Sequence, residues 1–380
     1  MNSVLGKLSK ENFLANYWQQ KPLVIRNAFP DFEMPFDAGD LAGLAIDTDA
    51  PARIIVEKGL SPDFKPWTAK HSPFTDEDFT SLPDTNWTFL VNDLERYVPE
   101  LGNLIEPFRF IPDWRIDDLM VSYAADKGSV GPHTDQYDVF LIQGEGSRRW
   151  QVISREDYPK DLLSGSSLAI LKNFEADEEW LLEKGDMLYL PPNMPHYGIA
   201  EGECFTFSVG FRAPESSDLI QNWFDTSFTD SKRFSDIGRK IQASSGEICK
   251  DDINKLTDLI LSTIQKKQGG LSLFLGKYLT ESKGHIPNRE DIHASPSFNP
   301  KIDYERETWL RFAYILDEEK LHFFADGKHI EIPLDKMKDI QELCENYYYS
   351  AGTLDSLAQD KSFKSLFTLL IREGGLVPAE

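Results

Sequence analysis

The chain has 380 residues, with 40 Lys and Arg against 63 Asp and Glu, a net charge of −23. Apolar residues at 41% and aromatics at 12% suffice for real cores, so the acidity is not that of a disordered acidic chain. It argues against a general nucleic-acid binder, which needs a basic face for phosphates, and the length predicts ~2–3 domains of about 150 residues.

Near the start, SKENFLANYWQ reads as a helix with Ser9 as its cap and Asn12 at the third position. Up to about residue 212 the chain is built of short apolar runs broken by Gly, Pro, Asn and Asp. They include PLVIRNAF (22–29), ARIIVEKG (52–59), LMVSYA (119–124), DVFLIQGEGSRRWQVI (138–153), DMLYLPP (186–192) and CFTFSVGFR (204–212). Each is β-branched or aromatic and bounded by turn residues, so each reads as a strand. Many short strands with Gly and Pro turns predict a β-dominated sandwich or barrel.

From about residue 215 the pattern turns helical. SSDLIQNWFDTSF carries Ser and Asp cap signals, and DDINKLTDLILSTIQKK (251–267) puts Ile253, Leu256, Leu259, Ile260 and Ile264 on one face. That face fits either core or a dimer interface. KGHIPNREDIHASPSFNP (283–300) is linker-like. KLHFFADGKHIEIP carries a DG hairpin signal, flanked by the helical LDKMKDIQELCENYY and SFKSLFTLLIREG, with Tyr347, Tyr348 and Tyr349 read as helix packing. The mixed, β-dominated chain thus divides into a barrel domain (1–212, the barrel itself from about 100), a helical module (213–290) and a small winged-helix-like α+β domain (291–380). Residues 301–380 carry 10 Lys and Arg against 16 Asp and Glu. That is the wrong sign for phosphate contacts, so direct nucleic-acid binding is not expected.

Cys204, Cys249 and Cys344 form no CxxC pair. They suggest neither a disulfide framework nor a zinc knuckle, and fit a reducing compartment. No signal-like leader and no run of ~18 apolar residues is present, so a cytoplasmic protein without a membrane span is expected.

The most informative stretch is Gly131-Pro-His133-Thr-Asp135-Gln-Tyr137. Read as strand, it places His133, Asp135 and Tyr137 on one face. His196, in GDMLYLPPNMPHYG, opens the next strand and would complete a 2-His-1-carboxylate triad with open metal positions. Arg148 follows a Gly-x-Gly turn into a strand. An inward arginine there needs a carboxylate, which a diacid cosubstrate such as 2-oxoglutarate would supply, although Glu145 is a competing partner at the rim. Asp118, Met120 and Ser122 alternate along one strand and share its inner face, with Arg115 a competing partner for Asp118.

The HTD…R…PPNMPH arrangement resembles the cupin/JmjC family of Fe(II)- and 2-oxoglutarate-dependent oxygenases, and FLANYWQQKPLVIRNAF is similar to that family's usual entry segment. WRIDDLMVSYA…GSVGPHTDQYDVFLIQGEGSRRW brings it closest to the bacterial ribosomal oxygenases, which hydroxylate an arginine of large-subunit ribosomal protein L sixteen. The resemblance implies a double-stranded β-helix, a helical dimerisation region and a winged-helix region. It implies iron ligands at His133, Asp135 and His196, with O₂ as the second cosubstrate. Arg148 would hold the distal carboxylate of 2-oxoglutarate, with Ser122 as a second donor. Asp118, Met120, Tyr137 and Ser208 would line the slot for the substrate arginine, hydroxylated at Cβ. The implied partner is a basic ribosomal protein, and the implied assembly a homodimer. A demethylase of the same family, which would release formaldehyde, a hydroxylase of another residue type, and a non-catalytic metal-binding cupin are the competing readings.

Overall fold

In the computed structural model, residues 4–57, 67–229, 232–241, 244–282, 297–317 and 319–379 are described. Among the described residues, eleven strands precede residue 212: β1 (Leu23–Ile25), β2 (Ala52–Glu57), β3 (Trp67–His71), β4 (Trp87–Val91), β5 (Ile116–Ala124), β6 (Val139–Gln143), β7 (Ser147–Val152), β8 (Glu178–Leu182), β9 (Met187–Leu190), β10 (His196–Glu201) and β11 (Cys204–Phe211). They form an eight-stranded sheet in the order β1-β9-β6-β11-β5-β4-β2-β3 and a three-stranded sheet in the order β10-β7-β8.

Side-chain alternation assigns each face of the large sheet its task. Along β11, Phe205, Phe207, Val209 and Phe211 join the main core on the outer face, with Phe89, Val121, Phe140 and the N-terminal helices. The residues between them, Thr206, Ser208 and Gly210, face the barrel interior, where they line a cavity with Met120, Ser122 and Leu141. The dominant hydrophobic core therefore lies behind the sheet, while a smaller apolar cluster of Val139, Leu141, Trp150, Val152, Leu182, Leu188 and Leu190 packs between the two sheets beside the cavity.

The N-terminal helix Lys10–Asn16 packs Phe13 into that core, and the Ser9 hydroxyl accepts from the Asn12 N–H at 3.1 Å. Buried Asp138, just before β6, is satisfied by the Tyr189 hydroxyl at 2.7 Å, the Gln19 amide at 2.9 Å and Arg115 at 3.2 Å. This network ties the entry segment to the barrel.

Beyond the barrel come the helices Ser216–Ser227, Lys250–Lys267 and Leu271–Thr280. The first begins after Glu215 without a side-chain cap hydrogen bond, so the Ser/Asp signal there is not used as a cap. The last part holds β12 (Tyr304–Arg306), β13 (Phe312–Leu316), β14 (Leu321–Ala325), β15 (Lys328–Ile332), β16 (Tyr348–Tyr349) and β17 (Leu376–Pro378), in two three-stranded sheets, with helices Met337–Glu345 and Lys361–Arg372. The β14–β15 hairpin turns on Asp326 and Gly327, both at positive φ, as a two-residue loop requires.

Several sequence expectations change. The first strand shrinks to Leu23–Ile25, and β2 ends at Glu57, with positions 58–59 outside the described residues. Most of the linker-like stretch, 283–296, also lies outside them. The helix read through Tyr348 stops at Glu345. Tyr348 and Tyr349 form a strand instead, and Tyr347 is stacked beneath the guanidinium groups of Arg109 and Arg306.

The C-terminal part is bonded to the barrel. Arg109 donates to the carbonyls of Cys344 and Glu345 at 2.7 Å, and Thr308 donates to the Glu95 carbonyl at 3.2 Å. Buried Arg311 donates to the carbonyls of Ile116 and Asp117 at 3.4 and 3.3 Å, at the start of β5.

Candidate active site

His133, Asp135 and His196 come together as a potential metal-holding group, their ligand atoms all within 4.8 Å of one another. His133 Nε2 lies 3.8 Å and His196 Nε2 3.5 Å from the Asp135 oxygens. Metal bonds of ~2.1 Å at right angles put neighbouring ligand atoms ~3 Å apart, so a small contraction closes the triad around an ion. In each imidazole, Nδ1 faces a backbone carbonyl two residues back: Gly131 at 2.8 Å for His133, Met194 at 2.9 Å for His196. Those carbonyls favour the proton on Nδ1 and leave Nε2 with its lone pair for a metal. Burial, reinforced by the neighbouring His133, pushes His196 down to about 4, which keeps its ring neutral.

The triad forms by a route different from the expected one. The segment holding His133, Asp135 and Tyr137 is a loop, and His133 makes only an isolated bridge to His196, through mutual backbone bonds of 3.0 and 2.9 Å. The Asn193 N–H donates to the Asp135 carbonyl at 2.6 Å, so the Pro-rich turn before His196 braces this loop. Gly131 sits at φ +83°, where a Cβ would meet Ile170 at 2.5 Å.

All nine residues picked out in the sequence line one cavity of ≈ 80 Å³ inside the barrel: Asp118, Met120 and Ser122 from β5, Ser208 from β11, Arg148 from β7, His196 from β10, and His133, Asp135 and Tyr137 from the loop. Arg148 is 3% exposed, and among the described residues its Nε and Nη2 have no hydrogen-bond partner. Glu145, its competitor in the sequence, instead lies 3.9 Å from Lys184. A buried guanidinium with two open N–H groups fits a carboxylate taken from solution. The Ser122 hydroxyl makes only a 3.4 Å bond to the Thr206 carbonyl.

Asp118 accepts from the Asn92 amide at 3.1 Å, while Arg115 is engaged with Asp138, so the competing Asp118–Arg115 pair does not form. Burial, then the charge of adjacent Asp117, pushes the Asp118 carboxyl up to about 6. Gly210 keeps space open beside it, since a Cβ there would sit 3.1 Å from Asp118 Oδ1. Tyr137 is 41% exposed at the mouth.

The sequence reading did not single out Arg53, Asn92, Trp150 and Thr206, which also line the cavity. Arg53 and Ile55 alternate on β2, and Leu90 and Asn92 share a face at the end of β4. That alternation was the available signal, but nothing in it says which strands neighbour β5.

A double-stranded β-helix with a His-x-Asp…His group and an inward arginine defines the class: a JmjC-type barrel. Residues 103–219 match the JmjC domain family. The chain is 32% identical to the ribosomal protein uL16 3-hydroxylase of Escherichia coli K12, over 97% of both chains. It is 45% identical to a probable ribosomal oxygenase of Haemophilus influenzae, over 56% of this chain and 52% of that one. The crystal structure of E. coli YcfD superimposes with a TM-score of 0.81 at 30% identity, covering 98% of each chain. A structure of YcfD with cobalt and 2-oxoglutarate superimposes at 0.78, with the same identity and coverage. The chain belongs to the JmjC ribosomal oxygenase family.

Proposed function

We propose that this protein is a 2-oxoglutarate-dependent oxygenase that hydroxylates Cβ of an arginine in a large-subunit ribosomal protein. The observation that carries the reading is the buried, unpartnered Arg148 guanidinium in the same cavity as the His133, Asp135 and His196 group. The full-length similarity to a uL16 3-hydroxylase supports the choice of a ribosomal substrate. Fe(II), with 2-oxoglutarate and O₂ as cosubstrates, would supply the oxidising power to place a hydroxyl on an unactivated C–H bond.

The residues divide that work. His133, Asp135 and His196 hold the metal and leave positions open on it. Arg148 takes the distal carboxylate of 2-oxoglutarate, with the Ser122 hydroxyl as a second donor. Asp118 pairs with the substrate guanidinium, Tyr137 stacks on it, Met120 packs along its aliphatic stem and Ser208 bounds the slot. The aromatic wall behind the sheet keeps water from the cavity on that side.

We take the chain to divide at about residues 212 and 290, the last part being winged-helix-like, and to work as a homodimer in the cytoplasm, without nucleic-acid contact. Apolar side chains on Ser216–Ser227 and Lys250–Lys267 support the dimer: Ile220, Phe224, Ile253, Leu256, Ile260 and Ile264 are all more than two-fifths exposed. Among the described residues they are not core, which supports a second copy on that face. Among the described residues, no helix is long and apolar enough to cross a membrane.

Intact-mass measurement of large-subunit ribosomal proteins, from cells with and without the gene, tests the function. One protein should lose one oxygen in mass when the gene is absent. Unchanged masses throughout, or formaldehyde release in place of a stable mass gain, would overturn the reading.

A further inference from the structure

The cavity contains a second arginine that the proposed reaction does not use. Arg53 lies on the inner face of β2, opposite Leu90 of β4 and His71 of β3 in register. Leu90 in turn faces Ser122 of β5, so Arg53 is two strands from Ser122 along one row of the sheet, ~10 Å away at the usual strand spacing. It stands one strand from the sheet edge, β3, whereas Arg148 is carried by β7 of the other sheet. Among the described residues it makes no ion pair, and its Nε is buried without a hydrogen-bond partner.

Every other charged group around the cavity has a partner, present or arriving. His133, Asp135 and His196 face one another. Asp118 has Asn92 and, in the proposed function, the substrate guanidinium. Arg148 has the cosubstrate carboxylate. Among the described residues around the cavity Arg53 alone lacks an acceptor, and its buried Nε–H without one is costly to keep. The substrate side chain cannot serve, because it carries the same charge. A basic polypeptide offers few carboxylates, but each of its residues brings a main-chain carbonyl oxygen.

We propose that Arg53 is a positioning residue that donates to a main-chain carbonyl of the substrate next to the target arginine, while its charge steers the incoming guanidinium toward Asp118. This rests on the reading of the protein as an arginine hydroxylase. The strand carrying Arg53 and the strand carrying Asp118 then grip the substrate from two sides, backbone and side chain, which fixes one carbon over the metal rather than its neighbours.

The test uses the full-length, iron-loaded enzyme with a peptide of the ribosomal protein found by mass measurement. Arg53→Gln should raise KM for the peptide about tenfold or more, the loss of a charged donor, with Arg53→Lys in between. KM for 2-oxoglutarate and peptide-independent 2-oxoglutarate turnover should stay within about twofold, which also shows that the variants are folded. Peptides in which one carbonyl near the target is replaced by a methylene locate the acceptor. One replacement should weaken binding to the wild type and have no further effect on Arg53→Gln. An unchanged peptide KM, a rise in KM for 2-oxoglutarate instead, or equal losses in both enzymes at every position would overturn the assignment. Failure of the wild type to hydroxylate any ribosomal peptide would instead overturn the functional reading itself.

Discussion

Asp118 serves two ends that oppose each other. In the folded protein its carboxyl titrates at about 6, because burial and then Asp117 penalise the charge. The folded state therefore holds a proton that the unfolded chain releases near pH 4. Stability from this group falls as pH rises through that window, and above it the ionised carboxylate costs about 2–3 kcal/mol. Asp118→Asn should thus raise the urea midpoint at pH 8 and leave it nearly unchanged at pH 4. The same variant should lose most arginine hydroxylation, because the neutral amide no longer pairs with guanidinium. A variant no more stable at pH 8 would show that the buried charge is already compensated. For the metal group, His133→Ala should abolish both cobalt binding, read by its visible absorption, and turnover. Arg148→Ala should bind cobalt normally but raise KM for 2-oxoglutarate by about a hundredfold, the value of a bidentate charged pair. An unchanged KM would remove Arg148 from that role.

At the scale of elements, two segments carry more than their own stability. The loop 131–138 positions the ligands without being a strand, and it depends on Gly131. A Cβ at φ +83° is strained and strikes Ile170, so Gly131→Ala should cost about 1–3 kcal/mol. Because the Gly131 carbonyl holds His133 Nδ1, metal affinity should fall with stability. Normal cobalt affinity in that variant would show that the carbonyl does not orient the ring. The helix Lys250–Lys267 turns its apolar stripe to solvent within one chain, with Ile260 61% exposed. Ile260→Glu should give a monomer by sedimentation without lowering the melting temperature of the barrel. A dimer that persists would place the interface elsewhere.

For the whole molecule, the net charge of −23 predicts long-range attraction for a basic ribosomal protein. That attraction is screened beyond ~8 Å at physiological salt, so kcat/KM for the protein substrate should fall several-fold between low and moderately high salt. Peptide-independent turnover of 2-oxoglutarate should change little, since 2-oxoglutarate meets a buried site. Equal salt effects on both would mean that the surface charge does not recruit the substrate. The C-terminal part acts at this scale too, because Arg311 and Thr308 bond the backbone around β5 and Glu95. Burial pushes Glu95 up to about 8, with Asp118 adding to the shift, and its carboxylate accepts from the Leu119 N–H, so the C-terminal part meets the barrel beside β5, the strand that carries Asp118.

What was legible in the sequence was local: period-two strands, the β14–β15 hairpin, the Ser9 cap and the chemical identity of His133, Asp135, His196 and Arg148. A strand writes its two faces into every second residue, so the inward set on β5 follows from the string alone. The tertiary structure decided which strands are neighbours. β2 and β4 come to stand beside β5 through pairings across 30 to 39 residues in register, Val91↔Val121 and Arg53 through Leu90 to Ser122 among them, and that is how Arg53 and Asn92 reach the cavity. It also decided that the His133–Asp135 segment is a loop braced by the turn before His196, and that the apolar stripe of Lys250–Lys267 is left uncovered. The physical reason is one of range. Backbone alternation and capping depend on residues a few positions apart, whereas a site assembled from β2, β4, β5, β7, β10, β11 and the 131–138 loop depends on where the whole sheet buries its aromatic face.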